Sequence, residues 1–600
     1  MNSLRILPLP RATTAEVAVP GSKSYTLRAL LLAALTPGTV KIDNSLACED
    51  TAAMVSCLST LGIAMTEGGA SRMEVTGDIS SVQDKDYELD VDLSGVTLRF
   101  LLALSCVIPG RQTLRGRGRL HERPVSDMVD SLRKLGAKIT YLGKTGYPPL
   151  RVASSQLAGG QITLAGTASS QYLSALLMVA PLTAGGLEIE ITGDLASKPY
   201  VDMTLDCMRH FGVAVDATDH RLYHAAAGQQ YRAATYYVEG DISSASYFFA
   251  IATLTRSTIT VTDVNPRSLQ ADTGFLQVLQ KMGSQVIYGK NSITIAGKGV
   301  KPLDVDMRDC PDQAQTLAVL ASFASGETTI NGIKSLRIKE TERVKALEQE
   351  LKKMGIRVSS TPDTLVVRGG DPKPASIETY GDHRMAMSFA VAGAKLFGME
   401  IREPEVVAKT FPAFWEVLRT IGVATEPTRS NIVLIGMRGS GKTTVARELA
   451  RKLNIKHVDL DEIMVEKLAL STPEIIAKHG WGYFRDQEAA IAKEISKDDN
   501  TLISTGGGIV LRPDNIAALR KNGVIVLLRA STDVMAGRLQ GSKSRPPLTD
   551  KSSLRAEIQE VLKERQPLYE SAADLIVDTD KLSPNRAADE IIARLGRRAA

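Results

Sequence analysis

The segment with the clearest chemical reach is Gly436-Met-Arg-Gly439-Ser440-Gly441-Lys442-Thr443. Glycines at this spacing followed by Lys-Thr cradle phosphate oxygens when a strand precedes them and a helix follows. Asn431-Ile-Val-Leu-Ile reads as the strand and residues 444–452 as the helix. Gly439, Ser440, Gly441, Lys442, Thr443 and Thr444 are therefore candidate ATP ligands, with Lys442 at the terminal phosphates and Thr443 on magnesium. His457-Val-Asp459-Leu-Asp461 closes a second apolar run. Strand alternation would point Asp459 and Asp461 to one side, one for the magnesium shell and one for an acceptor hydroxyl. Arg485 and Glu488 lie three apart on one helix face, and Gly506-Gly507-Gly508 lets a ligand approach the backbone. Arg538 and Arg545 flank Gly541-Ser-Lys-Ser, a basic lid, and Arg565 stands four before Tyr569. A lone arginine is more often a solvated surface charge. Jointly, Arg485 and Arg565 offer two forks for a carboxylate, so the acceptor is a small hydroxylated anion.

The preceding 420 residues carry a second set. Lys23, Ser24 and Arg28 surround a glycine turn. Ser169, Ser170, Gln171 and Ser197 add hydroxyl and amide donors, and Gly95 sits in Ser94-Gly95-Val96-Thr97. Arg123, Arg343 (in Lys339-Glu340-Thr-Glu-Arg343), Arg384 and Lys409 are cations drawn from four separate repeats. Asp312, Glu340, Asp382 and His383 are interspersed with them. Such a ring would hold a polyanion, with the acids placed for proton transfer.

A repeat must position that second set. Six helix-like stretches end in an apolar residue, two more residues, an apolar residue and glycine, at Gly62, Gly136, Gly212, Gly283, Gly355 and Gly422. Successive glycines are 74, 76, 71, 72 and 67 residues apart. The apolar pair shares a helix face, and glycine takes the left-handed conformation that stops the helix. In the second copy Pro124 can open the helix at its first turn, Asp127 and Asp130 come early, and Arg133 and Lys134 come late. Lys138-Ile-Thr-Tyr-Leu and Leu150-Arg-Val then read as a hairpin. One such helix end is common; six in near-register are a repeat. The repeat stops at Gly422, and from Asn431 continuous apolar strands alternate with helices, the mark of a parallel sheet.

Composition excludes little but points one way. A net charge of +5 on 600 residues gives no case for nucleic acid or a membrane surface. Five scattered cysteines fit free thiols in a reducing compartment, without zinc spacing. The first residues lack the apolar run of a signal peptide, so a cytoplasmic location is expected.

The later segments, GMRGSGKT, DLD, FRDQE, STGGG, the lid and RQPLY, resemble shikimate kinase over roughly the last 170 residues. The resemblance implies that Asp461, Arg485, Gly506–Gly508 and Arg565 hold shikimate, that Asp461 serves catalysis, that Arg545 closes on the phosphates and that Arg538 lies near adenine. The earlier segments, PGSKS, ERP, SSQYLSALL, KETER, GDHRMAM and AKTFP, resemble 5-enolpyruvylshikimate-3-phosphate synthase over nearly all of residues 1–425. That family folds as two lobes, each of three βαβαββ units. The resemblance implies lobes at 21–240 and at 1–20 plus 241–425, a linker at 426–430 and a P-loop kinase at 431–600. It places Lys23, Ser24, Arg28, Ser169, Ser170, Gln171, Ser197, Asp312 and Lys339 on shikimate 3-phosphate. Gly95, Arg123, Gln171, Arg343, Arg384 and Lys409 would hold phosphoenolpyruvate. Lys23, Asp312, Glu340 and His383 are the acid and base candidates, Glu340 and Asp312 foremost, and no cofactor is expected in this half. Val96 stands where the family usually has threonine, which is expected to alter the response to phosphoenolpyruvate or its mimic glyphosate. Rival readings are a related transferase acting on a UDP-sugar, another small-molecule kinase, and a nucleotide-binding regulator in place of the kinase. The loop Arg115–Arg123 lacks the cysteine frequent in the first rival.

Overall fold

The computed structural model describes residues 3–69, 71–153, 156–166, 169–428, 430–540 and 553–595. The chain divides into two compact units, Leu4–Glu426 and Pro427–Ala600, the latter with Met1–Ser3.

The first unit forms six four-stranded sheets among the described residues. In one, Gly160–Ala165 and Leu187–Thr192 run parallel, and Leu222–Ala225 and Asp216–Thr218 are added antiparallel. A parallel pair needs a crossover, here the helix Ser170–Val179; a second helix, Lys198–His210, leads into the hairpin. The same βαβαββ order recurs around Gly95–Ser105 with Ser126–Lys134 and around Ala314–Ala321 with Arg343–Lys353. The other three sheets take one strand from a distant segment. Thr235–Tyr237 lies parallel to Thr39–Asp43, Thr14–Ala18 lies parallel to Thr258–Thr262, and Ser3–Leu7 joins Met399–Arg402. The chain thus passes twice between two apolar cores. One is built from Tyr25 to Val238, the other from Leu4, Ile6, Val17 and Val19 with Ile242 to Val423. The passing segments meet at the antiparallel bridge Gly21–Gly240, where a Cβ on Gly21 would overlap the Asn44 carbonyl.

The two helices of each repeat differ in burial. The first is apolar nearly all round and enclosed: every residue of Ala314–Ala321 and of His383–Gly393 is buried. The second is amphipathic, as in Ser126–Lys134, which buries Met128, Val129, Ser131 and Leu132. Asp127 is early and Arg133 and Lys134 late, but Pro124 does not open this helix. Val125 is its N-cap, and Pro124 belongs to the loop before it, where its carbonyl accepts from the Tyr172 hydroxyl at 2.6 Å. The hairpin Ile139–Tyr141 with Leu150–Val152 forms as read. Each second helix ends two residues before its glycine, and the six glycines have φ of 97, 101, 81, 114, 78 and 94°.

The second unit forms a parallel sheet in the order Lys456–Asp459, Thr501–Ser504, Asn431–Ile435, Gly523–Arg529, Leu575–Asp578. The central strand is wholly buried, with one apolar core on each face. The phosphate-loop helix is Lys442–Leu453, longer at both ends than the sequence suggested. Asp459 ends its strand and caps the helix Leu460–Leu468, so Asp461 is already helical. Strand alternation therefore does not relate Asp459 to Asp461; the helix start does. All five cysteines are buried and free. Among the described residues no helix is long and apolar enough to cross a membrane.

The repeat glycines give a stability test. A Cβ on Gly355 would meet nothing within 4 Å, so Gly355→Ala isolates the backbone term at φ 78°. We expect a loss of about 1–2 kcal/mol, read as a lower melting temperature of the first unit.

Candidate active sites

In the first unit all six enclosed helices open their N-terminal ends onto one cleft of about 830 Å³. Lys23 and Ser24, Gly95 and Val96, Ser170 and Gln171, Ser243 and Ser244, Asp312, and His383 with Arg384 line it, one group from each repeat. Helix N-termini present amides and a partial positive charge, so the cleft is built for anions before any cationic side chain is counted.

The side chains sharpen this. Arg343 is 1% exposed and sits between three carboxylates: Nε to Asp382 at 2.7 Å, Nη1 to Asp312 at 2.9 Å, and Nη2 to Glu340 at 2.8 Å. Arg384 Nη2 meets Asp312 at 3.1 Å, and Lys339 is 3.5 Å from the same carboxylate. Arg123 Nη1 lies 3.6 Å from Glu340. Lys23 Nζ is 2.9 Å and Lys409 Nζ 3.7 Å from the two oxygens of Asp50. Burial opposes ionisation of Asp312, but Arg384, Lys339 and Arg343 outweigh it and hold the carboxyl well below its ordinary range. Glu340 is also buried and held well below its range, by Arg343, Arg123 and Lys409. Burial and the Arg384 and Lys23 charges push His383 well below its usual value, so its imidazole is neutral. Neither of its ring nitrogens has a hydrogen-bond partner among the described residues. Burial works against the Lys23 charge, but Asp50 and Glu340 outweigh it and raise the ammonium.

Three predicted ligands, Arg28, Gln171 and Ser169, already have partners within the chain. Arg28 donates to the Thr204 hydroxyl and to the Ser24 and Tyr200 carbonyls, holding the donor-rich turn in place. Gln171 accepts from Arg99 at 3.1 Å, and Ser169 caps the helix by accepting from the Gln171 amide at 3.4 Å. Ser197 lines the cleft in the left-handed region at φ 57°. A methyl on Gly95 would run into Arg123 and Arg99, so glycine leaves room for both guanidiniums. The sequence reading missed Asp50, Arg99 and Tyr247. Asp50 reads as an ordinary acid in a first helical turn, and only the fold brings Lys409 to it.

The second unit gathers its set at the C-terminal ends of the strands. Gly441, at φ 95°, precedes the helix, and Lys442 Nζ donates to the Gly436 and Met437 carbonyls at 2.8 and 3.1 Å. Thr443 Oγ1 lies 3.3 Å from Asp459 Oδ2. Arg538 donates to the Gly439 and Ser440 carbonyls and to Thr579, which ties the phosphate loop to the last strand. A separate cavity is lined by Asp461, Arg485, Gly506, Gly507, Gly508 and Arg565, with Trp481 and Phe484 as an apolar wall. Arg485 pairs with Glu488 at 2.7 Å and lies over both aromatic rings. A methyl on Gly508 would strike the Arg485 guanidinium. Arg565 and Tyr569 both donate to the Gly507 carbonyl. Burial pushes the Tyr569 hydroxyl up to about 12, so it remains a donor. Arg545 lies outside the described residues.

A six-unit transferase cleft and a P-loop small-molecule kinase thus share one chain. Residues 9–418 match the family model for EPSP synthase (3-phosphoshikimate 1-carboxyvinyltransferase), and residues 438–596 match that for shikimate kinase. The chain belongs to the EPSP synthase family and carries a shikimate kinase domain behind the synthase. It is 41% identical over 425 residues to the 3-phosphoshikimate 1-carboxyvinyltransferase of Sulfurovum sp. (strain NBC37-1), covering 70% of this chain and 99% of that one. It is 36% identical over 603 residues to the pentafunctional AROM polypeptide of Candida tropicalis, covering 92% of this chain and 38% of that longer one. The EPSP synthase structure from Acinetobacter baumannii superposes with a TM-score of 0.60 at 26% identity, covering 71% of this chain and 99% of that one.

Arg343 offers a test of the charge balance. Arg343→Met leaves three acids without their shared cation, which costs the first unit about 3–5 kcal/mol. Asp312 and Glu340 are depressed in the folded protein, so the stability they share with Arg343 is full above about pH 4 and lost as pH falls through their folded values. Melting curves should therefore show the deficit at pH 7 and its shrinkage below about pH 4.

Proposed function

We propose that the chain runs two consecutive reactions. The second unit phosphorylates shikimate at its 3-hydroxyl with ATP. The first adds the carboxyvinyl group of phosphoenolpyruvate to the 5-hydroxyl of the resulting shikimate 3-phosphate and expels phosphate. The observation that carries this reading is the convergence of six helix N-termini and of cations including Lys23, Arg123, Lys339, Arg343 and Arg384 on one cleft, together with an independent phosphate loop and acceptor cavity in the second unit. The proposed working units are lobes 21–240 and 1–20 plus 241–425, followed by a linker at 426–430 and the kinase at 431–600.

In the kinase, the phosphate-loop amides and Lys442 hold the ATP phosphates, with Arg538 near the base and Arg545 closing on the phosphates. Asp461 accepts the proton of the attacking hydroxyl, and Arg485 and Arg565 grip the shikimate carboxylate. Thr443 and Asp459 are adjacent hard oxygen donors that suit Mg²⁺ and would hold it beside the phosphate loop. Bound there, the ion would offset phosphate charge.

In the synthase, Ser169, Ser170, Ser197, Lys339 and Gln171 hold shikimate 3-phosphate, and Arg123, Arg343, Arg384 and Lys409 hold phosphoenolpyruvate. Before the substrates enter, Asp312 and Glu340 are counter-ions to these cations. Substrate anions take over the cations, and both carboxylates then gain proton affinity. That prepares one to take the hydroxyl proton and the other to protonate the enol carbon, and then to take a proton back from the resulting methyl group as phosphate leaves and the double bond re-forms. Lys23 is charged and delivers a proton to the departing phosphate oxygen. Neutral His383 acts as a hydrogen-bond partner or proton acceptor.

One assay separates the two sites. With shikimate, ATP, magnesium and phosphoenolpyruvate supplied, Lys442→Ala should cut ADP release roughly hundredfold or more and leave phosphate release from added shikimate 3-phosphate unchanged. Arg123→Ala should do the reverse. Loss of both activities in either variant would contradict two independent sites. Val96→Thr should shift the phosphoenolpyruvate KM or its inhibition by glyphosate; identical constants would remove Val96 as a determinant.

A further inference from the structure

Three elements deliver the donor-site cations of one lobe: helix Arg343–Lys353, helix His383–Gly393 with Arg384, and the turn Pro404–Lys409. Residues 378–382 bond to the first, cap the second and reach Glu403 at the start of the third. The Glu378 amide and the Tyr380 hydroxyl donate to the two oxygens of Glu350, at 3.1 and 2.5 Å. The Thr379 hydroxyl donates to Glu403, which precedes the turn, at 3.4 Å. Asp382 then caps the helix of Arg384 and grips Arg343. None of Glu350, Glu378, Tyr380 or Glu403 lines the cleft.

Two observations mark this loop as held under constraint. Tyr380 has φ 55° and Gly381 φ 67°, and a bulky residue adopts the left-handed region only where its surroundings enforce it. Glu350 is wholly buried yet spends both oxygens here, with Lys353 at 2.7 Å as its counter-ion. Glu350 lies seven residues from Arg343, two turns along the same helix. The helix and the loop are therefore joined at two points, Arg343 with Asp382 and Glu350 with the 378–380 backbone and ring. One joint alone would let the helix pivot about the Arg343 pair; two fix its rotation.

We propose that Tyr380 and Glu350 are positioning residues of the synthase. Their contact sets the register of Arg343 against Arg384, and with it the grip on phosphoenolpyruvate. This rests on the assignment of Arg343 and Arg384 to that substrate.

The test uses the full chain with Tyr380→Phe, Glu350→Gln and, as reference, Arg384→Ala. Steady-state constants for both substrates, ADP release by the kinase unit and the melting curve are measured on the same samples. Tyr380→Phe should raise the phosphoenolpyruvate KM about tenfold while the shikimate 3-phosphate KM and ADP release stay unchanged. Glu350→Gln keeps a carbonyl acceptor for the tyrosine and should fall between Tyr380→Phe and the parent. An unchanged phosphoenolpyruvate KM, or an equal rise for both substrates, overturns the positioning role. If Tyr380→Phe loses the synthase melting transition, Glu350→Gln alone decides by the same two criteria. An unchanged phosphoenolpyruvate KM in Arg384→Ala overturns the substrate assignment instead.

Discussion

A helix enclosed on every side can meet a ligand only at its ends. In each repeat of the first unit the leading helix is of this kind, so that helix can contribute to chemistry only from its end. Turning all six N-terminal ends toward one cleft adds their amides and partial charges to the same volume. The sheets and the amphipathic second helices follow from the need to cover those six rods. The glycine ends follow from the need to turn the chain back in a few residues. Strand exchange between Thr14–Ala18 and Thr235–Tyr237 closes the arrangement, because a chain that leaves a half-built lobe must leave a strand position for its return.

That concentration of positive potential creates its own difficulty. Arg123, Lys23, Arg343 and Arg384 lie close together in a partly dehydrated cleft, and Lys409 reaches its Asp50 from outside the lining. Two like charges 4 Å apart at an effective dielectric near 20 repel by about 4 kcal/mol. Asp50, Asp312, Glu340 and Asp382 separate them. Buried ion pairs of this kind contribute little net stability once desolvation is included. Their value lies in placement: the acids hold each cation where a substrate anion can replace them. In the proposed reaction structural counter-ion and proton carrier would be one residue in two ligand states, consistent with the depressed proton affinities of Asp312 and Glu340 beside their cations.

Much of this was legible in the chain. The six glycines predicted the helix ends, and GMRGSGKT predicted a strand, a loop and a helix in that order. The cations from separate segments do meet. Legibility failed where a residue's meaning depends on a distant partner. Asp50 is a helix-start acid in sequence and a bridge between Lys23 and Lys409 in space. Arg28 lines the cleft as the sequence suggested, but its bonds to Thr204 and to the Ser24 and Tyr200 carbonyls appear only in the fold. Asp459 and Asp461 were related by the wrong period because the strand gives way to a helix between them. Pro124 marked a helix start two residues too early.

The two units solve one recognition problem at different scales. In the proposed kinase reaction a single helix end would take the phosphate, and glycines at 439 and 441, both with positive φ, leave the backbone itself as the ligand surface. The synthase spreads the task over six helix ends and lets side chains finish it. In both, glycine is kept where a guanidinium must pass: a methyl at Gly95 would displace Arg123 and Arg99, and one at Gly508 would displace Arg485. The size of an arginine head thus dictates a residue far away in sequence. A site of forked cations therefore has two sequence signatures, the arginines and the glycines that make room for them, and only the first is visible without the fold.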